Sequence, residues 1–384
     1  MVCDSRFNKK IIIGIDGSRS VDSIQKTGVE FVSDELIKQF INFQDTISNF
    51  QNFIFYTPEK ISWLPEENQK ILNWPFKFLW TQIRLSWEML KNKPDIFFSP
   101  VHILPFFTPK KTFKIIHDIA FKKNKKLYNF KNKILLNLDL YRAIKKCEKI
   151  FVPSEQVKQD LLKYTKISED KIIKINHGYK RKNFQFPISN FQLRKNQLLY
   201  IGRIEVKKNI INLIKAFEIF NKNTVKSLRD HGVNNNYSLI LAGKIDENYI
   251  NKNINYFNNK NIKLLGYISE QEKFSLLRES KCLVYVSKEE GFGIPILEAF
   301  DFQLPVVCSD IPVLREVGGD ACIFVNPNSV QEIAKGIFSV IECNYSVIPQ
   351  YCGIQFDLIE KAKQQLEKFS WQKAGEKYLQ EILK

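Results

Sequence analysis

The sequence lacks the cysteine patterns that are typical of disulfide-rich and metal-binding proteins. Its seven cysteines are odd in number, and no two of them form a Cys-x-x-Cys pair. Several of them lie inside apolar runs, where cysteine behaves as a small hydrophobic residue. We therefore expect no disulfide framework, no structural metal and a reducing compartment, the cytoplasm.

Long apolar runs are also missing. No stretch of the sequence approaches the roughly 20 apolar residues that span a bilayer. The first ten residues contain no apolar core of the kind found in signal peptides. The sequence predicts a protein that stays inside the cell.

Positive charge is present in excess, with 58 Lys and Arg against 41 Asp and Glu and a net charge of +17. Residues 108–149 hold 13 of the basic residues and only three acidic ones. An excess of positive charge is typical of proteins that bind nucleic acid, an anionic membrane surface or a phosphorylated substrate. It suits a solvated surface in a lysine-rich protein equally well. The charge alone leaves these interpretations open.

Short apolar runs alternate with helical periods twice along the chain. The first series opens with the run at 10–17, which ends in glycines, as a buried parallel strand does. The second series begins at Gln197, after an aperiodic segment at 179–196. This pattern predicts an α/β protein of two doubly wound, Rossmann-like domains facing across a cleft, with ligands beyond the carboxyl ends of strands. The predicted bounds are 1–185 for the first domain, 186–365 for the second, and 366–384 for a C-terminal helix, with packing against the first domain as one option.

The strongest chemical signal is the segment 287–299, SKEEGFGIPILEA, between a predicted strand and a predicted helix. Its glycines allow a ligand close to the backbone, and a helix N-terminus attracts anionic oxygens. Glu290 and Glu298, separated by seven residues, can point into one pocket and accept hydrogen bonds from sugar hydroxyls. Glycines between a strand and a helix are common, so they are weak evidence by themselves.

A second segment, 200–209 with the sequence YIGRIEVKKN, places two cations at the mouth of a predicted helix. The strand is expected to end at Gly202, and Arg203 and Lys208 follow it. Two cations near a helix N-terminus suit a diphosphate, since they neutralise it when bound and stabilise it as it departs. On the residues alone, a solvated basic loop explains this segment equally well.

Together the two segments resemble the family-four retaining glycosyltransferases, which have the GT-B fold. Residues 287–299 match the E-x7-E motif of that family at every fixed position of EGFG-x-P-x-x-EA. Residues 200–209 match its GR-x-x-x-x-KN element. The resemblance is close over 197–328 and thinner in the N-terminal half, where it suggests the subgroup with O-antigen mannosyltransferases. It implies that the domain at 1–185 binds the acceptor and the domain at 186–365 binds the nucleotide sugar.

The resemblance implies a role for each matched residue. Glu290 is expected to orient the sugar, Glu298 the ribose, and Arg203 and Lys208 the diphosphate. His117, which precedes an aspartate after a predicted strand, is expected to be catalytic and to contact sugar or acceptor. Further donor-binding positions are expected at Gly28, Gly202, Gly243, Tyr267, Ile268, Gly291, Phe292, Gly293 and Ile294. The family usually has a second glycine soon after the position of Gly28, where this sequence has Glu30.

The implied reaction is a retaining, front-face transfer in which the departing diphosphate takes the acceptor proton. No Asp-x-Asp pair stands at a predicted strand end, and arginine and lysine are expected to replace a divalent metal, so we expect no cofactor. The expected partners are a nucleotide-sugar donor, GDP-mannose first and UDP-hexose second, and a glycan or lipid-linked acceptor. We expect no nucleic acid. An anionic membrane surface is a candidate partner for the basic stretch 108–149, in which Lys122, Lys123, Lys125 and Lys126 are expected near the rim of the cleft.

Three alternatives remain at this point. A basic nucleic-acid-binding protein would explain the charge, but no binding-module motif or stacking platform accompanies it. A hydrolysing nucleotide-sugar epimerase shares the two-domain architecture but would lack the E-x7-E string. A glycogen-type phosphorylase would need a pyridoxal lysine and a far longer chain.

Overall fold

The chain folds into two compact units. The computed structural model describes residues 11–22, 25–47, 51–76, 78–101, 103–123, 130–182, 194–229, 236–341 and 349–384. Unit 1 comprises Met1–Gly178 and Ser370–Lys384, and unit 2 comprises Tyr179–Phe369. The predicted boundary at 185/186 lies outside the described residues. The structure divides the chain at 178/179, and it begins the C-terminal return at 370, four residues later than the expected 366.

Each unit is built on one parallel sheet, which confirms the predicted fold class of two parallel-sheet α/β domains. The strands of unit 1 are β1 (Ile11–Asp16), β2 (Gln51–Thr57), β3 (Gln69–Ile71), β4 (Ile96–Ser99), β5 (Lys111–Ile115), β6 (Lys149–Val152) and β7 (Ile172–Lys174). Those of unit 2 are β8 (Gln197–Ile201), β9 (Ser238–Ala242), β10 (Ile262–Gly266), β11 (Cys282–Tyr285), β12 (Val306–Ser309) and β13 (Cys322–Val325). Several central strands, such as β4, β8 and β11, are buried at every residue, because helices cover both faces of such a sheet.

The helices follow the strands in regular alternation. They are α1 (Gly28–Ile47), α2 (Ser86–Lys91), α3 (Ala120–Lys123), α4 (Phe130–Lys146), α5 (Glu155–Tyr164), α6 (Ile210–Arg229), α7 (Glu247–Lys252), α8 (Ile254–Phe257), α9 (Glu270–Glu279), α10 (Ile294–Asp301), α11 (Pro312–Gly318), α12 (Val330–Ile341), α13 (Pro349–Leu366) and α14 (Trp371–Leu383). A π-helical turn, Trp80–Leu85, runs into α2. The Ser154 side chain accepts a hydrogen bond from the backbone N–H of Val157 and caps α5, as its position before that helix predicts.

The last helix, α14, returns to unit 1. Its Gly375 packs on α1, where a Cβ atom would lie 2.8 Å from Cβ of Gln39. The ring of Trp371 meets Phe31 edge-on at 6.3 Å. Unit 1 therefore takes one of its helices from the far end of the chain.

Strand order reverses once in each sheet, and this places the site. Unit 1 has the order β3-β2-β1-β4-β5-β6-β7, and unit 2 has β10-β9-β8-β11-β12-β13. In unit 2 the reversal falls between the neighbours β8 and β11. The connections that leave these two strands run to opposite faces of the sheet, so a crevice opens at their carboxyl ends.

Candidate active site

Two loops of unit 2 meet at that crevice through an ion pair. Lys208 follows β8, Glu290 follows β11, and the Lys208 Nζ donates to Glu290 Oε1 at 2.6 Å. The two side chains are only 10% and 9% exposed. The structure thus brings together the two sequence segments that were singled out separately, across 82 positions of the chain.

Backbone contacts hold the two loops in place. Asn209 adopts a left-handed conformation with φ 60°. Its Nδ2 donates to the carbonyl of Val286 at 3.0 Å and to that of Pro327 at 2.7 Å. The N–H of Lys288 donates to the carbonyl of Lys207 at 2.9 Å. Lys208 is therefore presented from a fixed turn, with little freedom left to its backbone.

The environment keeps Glu290 ionised. Burial by itself raises the pKa of this carboxyl, but the Lys208 ammonium and the hydrogen bonds that it accepts outweigh burial and lower the pKa below its ordinary value. Lys208 also lies over Tyr285, with Nζ 5.7 Å from the ring centroid. Burial raises the pKa of Tyr285 well above 10, so its phenol stays neutral. The crevice offers one carboxylate and one ammonium, each satisfied by the other.

Three neighbouring strands of unit 2 end in glycines with positive φ, namely Gly202, Gly243 and Gly266. A Cβ atom on Gly243 would lie 2.0 Å from the carbonyl oxygen of Gly202. The ends of β8 and β9 are therefore too close for a side chain at Gly243. The N–H groups of Gly202 and Gly243 donate to the carbonyls of Ala242 and Gly266, which fixes the three strand ends to one another.

The turn before α10 supplies a second kind of group. Gly293, with φ 125°, precedes the first helical residue Ile294, and a proline occupies the first turn. A helix N-terminus of this kind attracts anions, and here the N–H of Ile294 and the backbone of the Gly291 turn are the groups that lie at it. Pro295 has no N–H, and the N–H of Ile296 donates to the Gly293 carbonyl at 3.0 Å. Phe292 of the same turn buries its ring against Phe369 at 5.7 Å between centroids, so only its backbone is placed to meet a ligand.

Glu298, one turn into α10, is paired with a residue that sequence reasoning missed. Lys273 of α9 donates to Glu298 Oε1 at 2.5 Å, and the two side chains are 20% and 9% exposed. Burial lowers the pKa of Lys273, but the Glu298 carboxylate outweighs burial and raises it. No motif marks Lys273, because its partner stands 25 positions away on a different helix.

The remaining predicted positions of unit 2 are more open. Arg203 is 54% exposed, with Nε 3.7 Å from Glu205 Oε2. Tyr267 is 46% exposed and, with the half-buried Ile268, directly follows β10 at the edge of the sheet. Their roles as donor contacts stay predictions.

In unit 1, Gly28 is the first residue of α1, and no atom lies within 4 Å of the position that a Cβ would occupy. Glu30, which replaces the expected second glycine, caps this helix. Its Oε2 accepts from the backbone N–H of Thr27 at 3.2 Å and from the Thr27 hydroxyl at 2.5 Å. Burial raises the pKa of Glu30, yet these bonds and Arg19 lower it overall. Glu30 thus stabilises the start of α1, at the place where the family usually has a second glycine.

His117 lies just past β5 and is buried. Its Nε2 donates to the Pro100 carbonyl at 2.8 Å, and its ring is 5.5 Å from that of His177. His177 in turn stacks on Trp371 at 5.8 Å. Burial lowers the pKa of both histidines, so both are neutral at pH 7. These contacts are those of a packed histidine, and a role toward sugar or acceptor stays a prediction.

The basic stretch 108–149 is not uniformly exposed. Lys114 is buried and paired with Asp139, and Lys123 pairs with Asp160 at 3.0 Å. Lys125 and Lys126 lie outside the described residues. Within the described ranges, no three His, Cys, Asp or Glu side chains group as a metal site would require. None of the described helices combines the length and the apolar character that crossing a bilayer demands.

Comparison with known proteins identifies the family of unit 2. Residues 181–364, nearly all of unit 2, match the family described as glycosyl transferases group 1. Unit 2 is a group 1 glycosyl transferase domain. The resemblance drawn from the two motifs is confirmed, and the epimerase and nucleic-acid-binding alternatives are not favoured.

Named relatives are similar over much of the chain. O-antigen chain mannosyltransferase B of Escherichia coli is 27% identical over 273 residues, which cover 67% of this chain and 68% of the relative. O-antigen chain mannosyltransferase RfbU of Salmonella typhimurium is 27% identical over 203 residues, covering 52% and 53%. The serotype-specific mannosyltransferase WbdA of Escherichia coli is 25% identical over 245 residues, but the match spans only 29% of its length.

Solved structures share the fold of the chain at low identity. WaaG, a glycosyltransferase involved in lipopolysaccharide biosynthesis, superposes with a TM-score of 0.71 at 13% identity, over 97% of this chain and 99% of WaaG. Sucrose-phosphate synthase of Thermosynechococcus elongatus gives 0.70 at 13% identity, over 97% and 98%. Anabaena HepE in complex with UDP and glucose gives 0.66 at 13% identity, over 97% and 99%. The fold is of the GT-B type.

Proposed function

We propose that this glycosyltransferase moves mannose from GDP-mannose to a glycan or lipid-linked acceptor in the synthesis of a cell-surface polysaccharide, with retention at the anomeric carbon and without a metal. The observation that carries the proposal is the Lys208–Glu290 pair at the switch point of unit 2. The names of the similar O-antigen mannosyltransferases support mannose as the sugar. The UDP and glucose bound in HepE make a UDP-hexose the second candidate donor.

The ion pair suggests how the donor enters. In the structure the Lys208 ammonium and the Glu290 carboxylate neutralise each other, so neither is buried as an unpaired charge. An arriving diphosphate competes with the Glu290 carboxylate for the Lys208 ammonium. Once Lys208 turns to the phosphate oxygens, Glu290 is free to accept hydrogen bonds from hydroxyls of the sugar. Arg203, exposed and 3.7 Å from Glu205, is placed to close on the same diphosphate.

The transfer step that we propose is the one that the family resemblance implies. The bond between the anomeric carbon and the diphosphate oxygen breaks, and a bond forms from the same face between that carbon and the acceptor oxygen. The acceptor proton goes to the departing diphosphate. Lys208, Arg203 and the amide groups at the start of α10 stabilise the negative charge that grows on the leaving group, which is the largest catalytic effect that the site can supply.

Glu298 and Lys273 complete the donor site. Glu298 lies one turn beyond the amide groups at the start of α10, so a nucleotide with its diphosphate there would bring its ribose toward this carboxylate. Lys273 holds one carboxylate oxygen and leaves the other for the ribose hydroxyls. We also place the reaction in the cytoplasm, because the buried cysteines 147, 282, 308 and 322 are all free thiols, which suits a reducing compartment.

A transfer assay tests the proposal. The purified chain is incubated with GDP-mannose or UDP-glucose and a panel of polyprenyl-diphosphate-linked oligosaccharides, and products are identified by mass spectrometry and by the anomeric coupling in NMR. We expect mannose from GDP-mannose in an α-linkage. A β-linked product contradicts retention. Transfer from UDP-glucose but not from GDP-mannose would show that the donor is the second candidate, a UDP-hexose. An epimerised nucleotide sugar formed without any acceptor would overturn the transferase itself.

A further inference from the structure

Unit 1 carries a concentrated apolar surface that the reaction does not use. Among the described residues, nine large apolar side chains are more than half exposed, and eight of them lie between residues 76 and 141. Six of the eight form what we call the docking face: Trp87, Leu90, Phe106, Phe107, Leu138 and Tyr141. An isolated exposed apolar residue needs no explanation, but a cluster of this size marks an interaction surface.

Hydrogen bonds join the three segments of the docking face. The N–H of Phe106 donates to Ser86 Oγ at 2.7 Å, and Arg142 Nη2 donates to the Pro105 carbonyl at 2.6 Å. The loop that bears Phe106 and Phe107 is therefore fixed to α2 on one side and to α4 on the other. On each helix the two exposed residues are three positions apart, so they share one side of it.

Cations lie directly on the aromatic rings of this face. Lys91 Nζ is 4.8 Å from the Trp87 ring centroid, Arg142 Cζ is 4.8 Å from that of Phe106, and Lys145 Nζ is 5.0 Å from that of Tyr141. Each of these three rings is thus flanked by a positive charge on a long alkyl stem, and such stems can lie along apolar surface while the charge remains in polar surroundings.

Negative charge in the same elements is buried and neutralised. Glu88 of α2 is 6% exposed and pairs with Lys70 at 2.6 Å and with Arg84 at 3.3 Å. Asp139 of α4 is buried against Lys114. The charge that α2 and α4 present to solvent is therefore positive.

We propose that the docking face seats unit 1 on an anionic lipid surface. Tryptophan and tyrosine favour the boundary between head groups and acyl chains, and lysine and arginine favour acidic head groups, so this one face meets both demands. A second copy of the chain fits less well, because a symmetric contact would set these cations against one another. The proposal does not depend on the identity of the sugar. It narrows the membrane contact expected along the basic stretch 108–149 to α4, and extends it to α2 and to the loop that bears Phe106 and Phe107.

Vesicle sedimentation of the full chain tests this inference. Wild type should pellet with phosphatidylcholine vesicles that contain phosphatidylglycerol, much less with phosphatidylcholine alone, and not near half-molar salt, where the screening length is roughly 4 Å. Replacing Lys91, Lys145 and Lys146 by Gln should weaken binding about 100-fold, since each contributes about a factor of five near such a surface. The matched control replaces the exposed Lys166, Lys373 and Lys377 by Gln, with the same loss of charge and no loss of binding.

The apolar part needs its own variant. Leu138→Ser with Tyr141→Ser should also lose binding, whereas Ile254→Ser with Phe356→Ser, at sites of unit 2 with exposures of 46% and 49%, should not. Nucleotide-induced thermal shifts of all variants should match wild type, which shows that they fold and separates this test from that of the reaction. Equal binding of the face variants and their controls refutes the proposal. So does sedimentation velocity that shows the face variants abolishing a dimer while vesicle binding is absent.

Discussion

The Lys208–Glu290 pair permits a quantitative prediction about stability. Glu290→Ala removes the partner of an ammonium that is 10% exposed. Breaking a buried pair in this way costs about 3–5 kcal/mol, and we expect about 3 kcal/mol because both groups retain some contact with water. For a unit of this size that loss lowers Tm by roughly 6–12 °C. An activity loss measured with this variant therefore mixes catalysis with instability.

Glu290→Gln separates the two effects. The amide keeps the shape of the carboxylate and can still accept a hydrogen bond from Lys208, so we expect it to cost only about 1–2 kcal/mol. Glu290→Gln, Lys208→Met and the double variant form a double-mutant cycle, in which the free energy of unfolding is measured by calorimetry. The double variant should be more stable than the sum of the single changes predicts, by at least about 1 kcal/mol. Additive losses would refute the claim that the two groups act as a pair.

The pH dependence checks the same pair through its charge. The pKa of Glu290 is lowered in the folded chain, so its stabilising contribution is present above the ordinary carboxyl range of about 4.5 and is lost as the pH falls through the lowered value. The stability difference between wild type and Glu290→Gln should therefore shrink below about pH 4.5. A difference that stays constant down to the acid transition would show that the contact is not ionic.

Four further outcomes are expected. Lys273→Gln should raise KM for the donor roughly tenfold with little change in kcat, because it loosens Glu298 without touching the leaving group; a selective fall in kcat contradicts this. Transfer should survive excess chelator, and rescue by manganese after inhibition would show a metal requirement. Gly243→Ala should destabilise unit 2 by more than about 2 kcal/mol, since its Cβ would clash with the backbone, while Gly28→Ala should leave calorimetric stability unchanged. Stability of unit 1 should fall as the pH drops below 6.5, because His117 and His177 are buried in the neutral form and take up protons only on unfolding; a flat profile would contradict this reasoning.

The fold was accessible from the sequence because its signals are local. Buried parallel strands such as β8 and β11 are apolar runs. β8 is followed directly by Gly202, and β11 by a loop that contains Gly291 and Gly293, and a helical period follows each loop. The structure divides the chain at 178/179, at the start of the aperiodic segment 179–196 in which the boundary was expected. The backbone of Trp371 lies against Gly178 there, 2.1 Å from where a Cβ would stand, and that close approach depends on the far end of the chain.

The site residues also fall into two groups, those that a local motif marks and those whose partners come from distant segments. Glu290 and Lys208 were identified because each belongs to a contiguous motif at the end of a strand. Their direct contact depends on β8 and β11 being neighbours, which no local pattern states. Lys273 and the Lys114–Asp139 pair stayed hidden because burial, not spacing, gives them their partners. For His117 the register of a motif suggested chemistry, while its surroundings are those of a packed ring.

The most direct test of the central claim is nucleotide binding by calorimetric titration with GDP, UDP, ADP and dTDP. Wild type, Lys208→Met and Lys207→Met are compared, since Lys207 is the adjacent lysine and lies beside Glu205 at 3.7 Å. We expect wild type to bind GDP most tightly, Lys208→Met to lose at least about tenfold in affinity, and Lys207→Met to bind as wild type does. If no nucleoside diphosphate binds, or if both variants bind like wild type, the crevice between β8 and β11 is not the donor site.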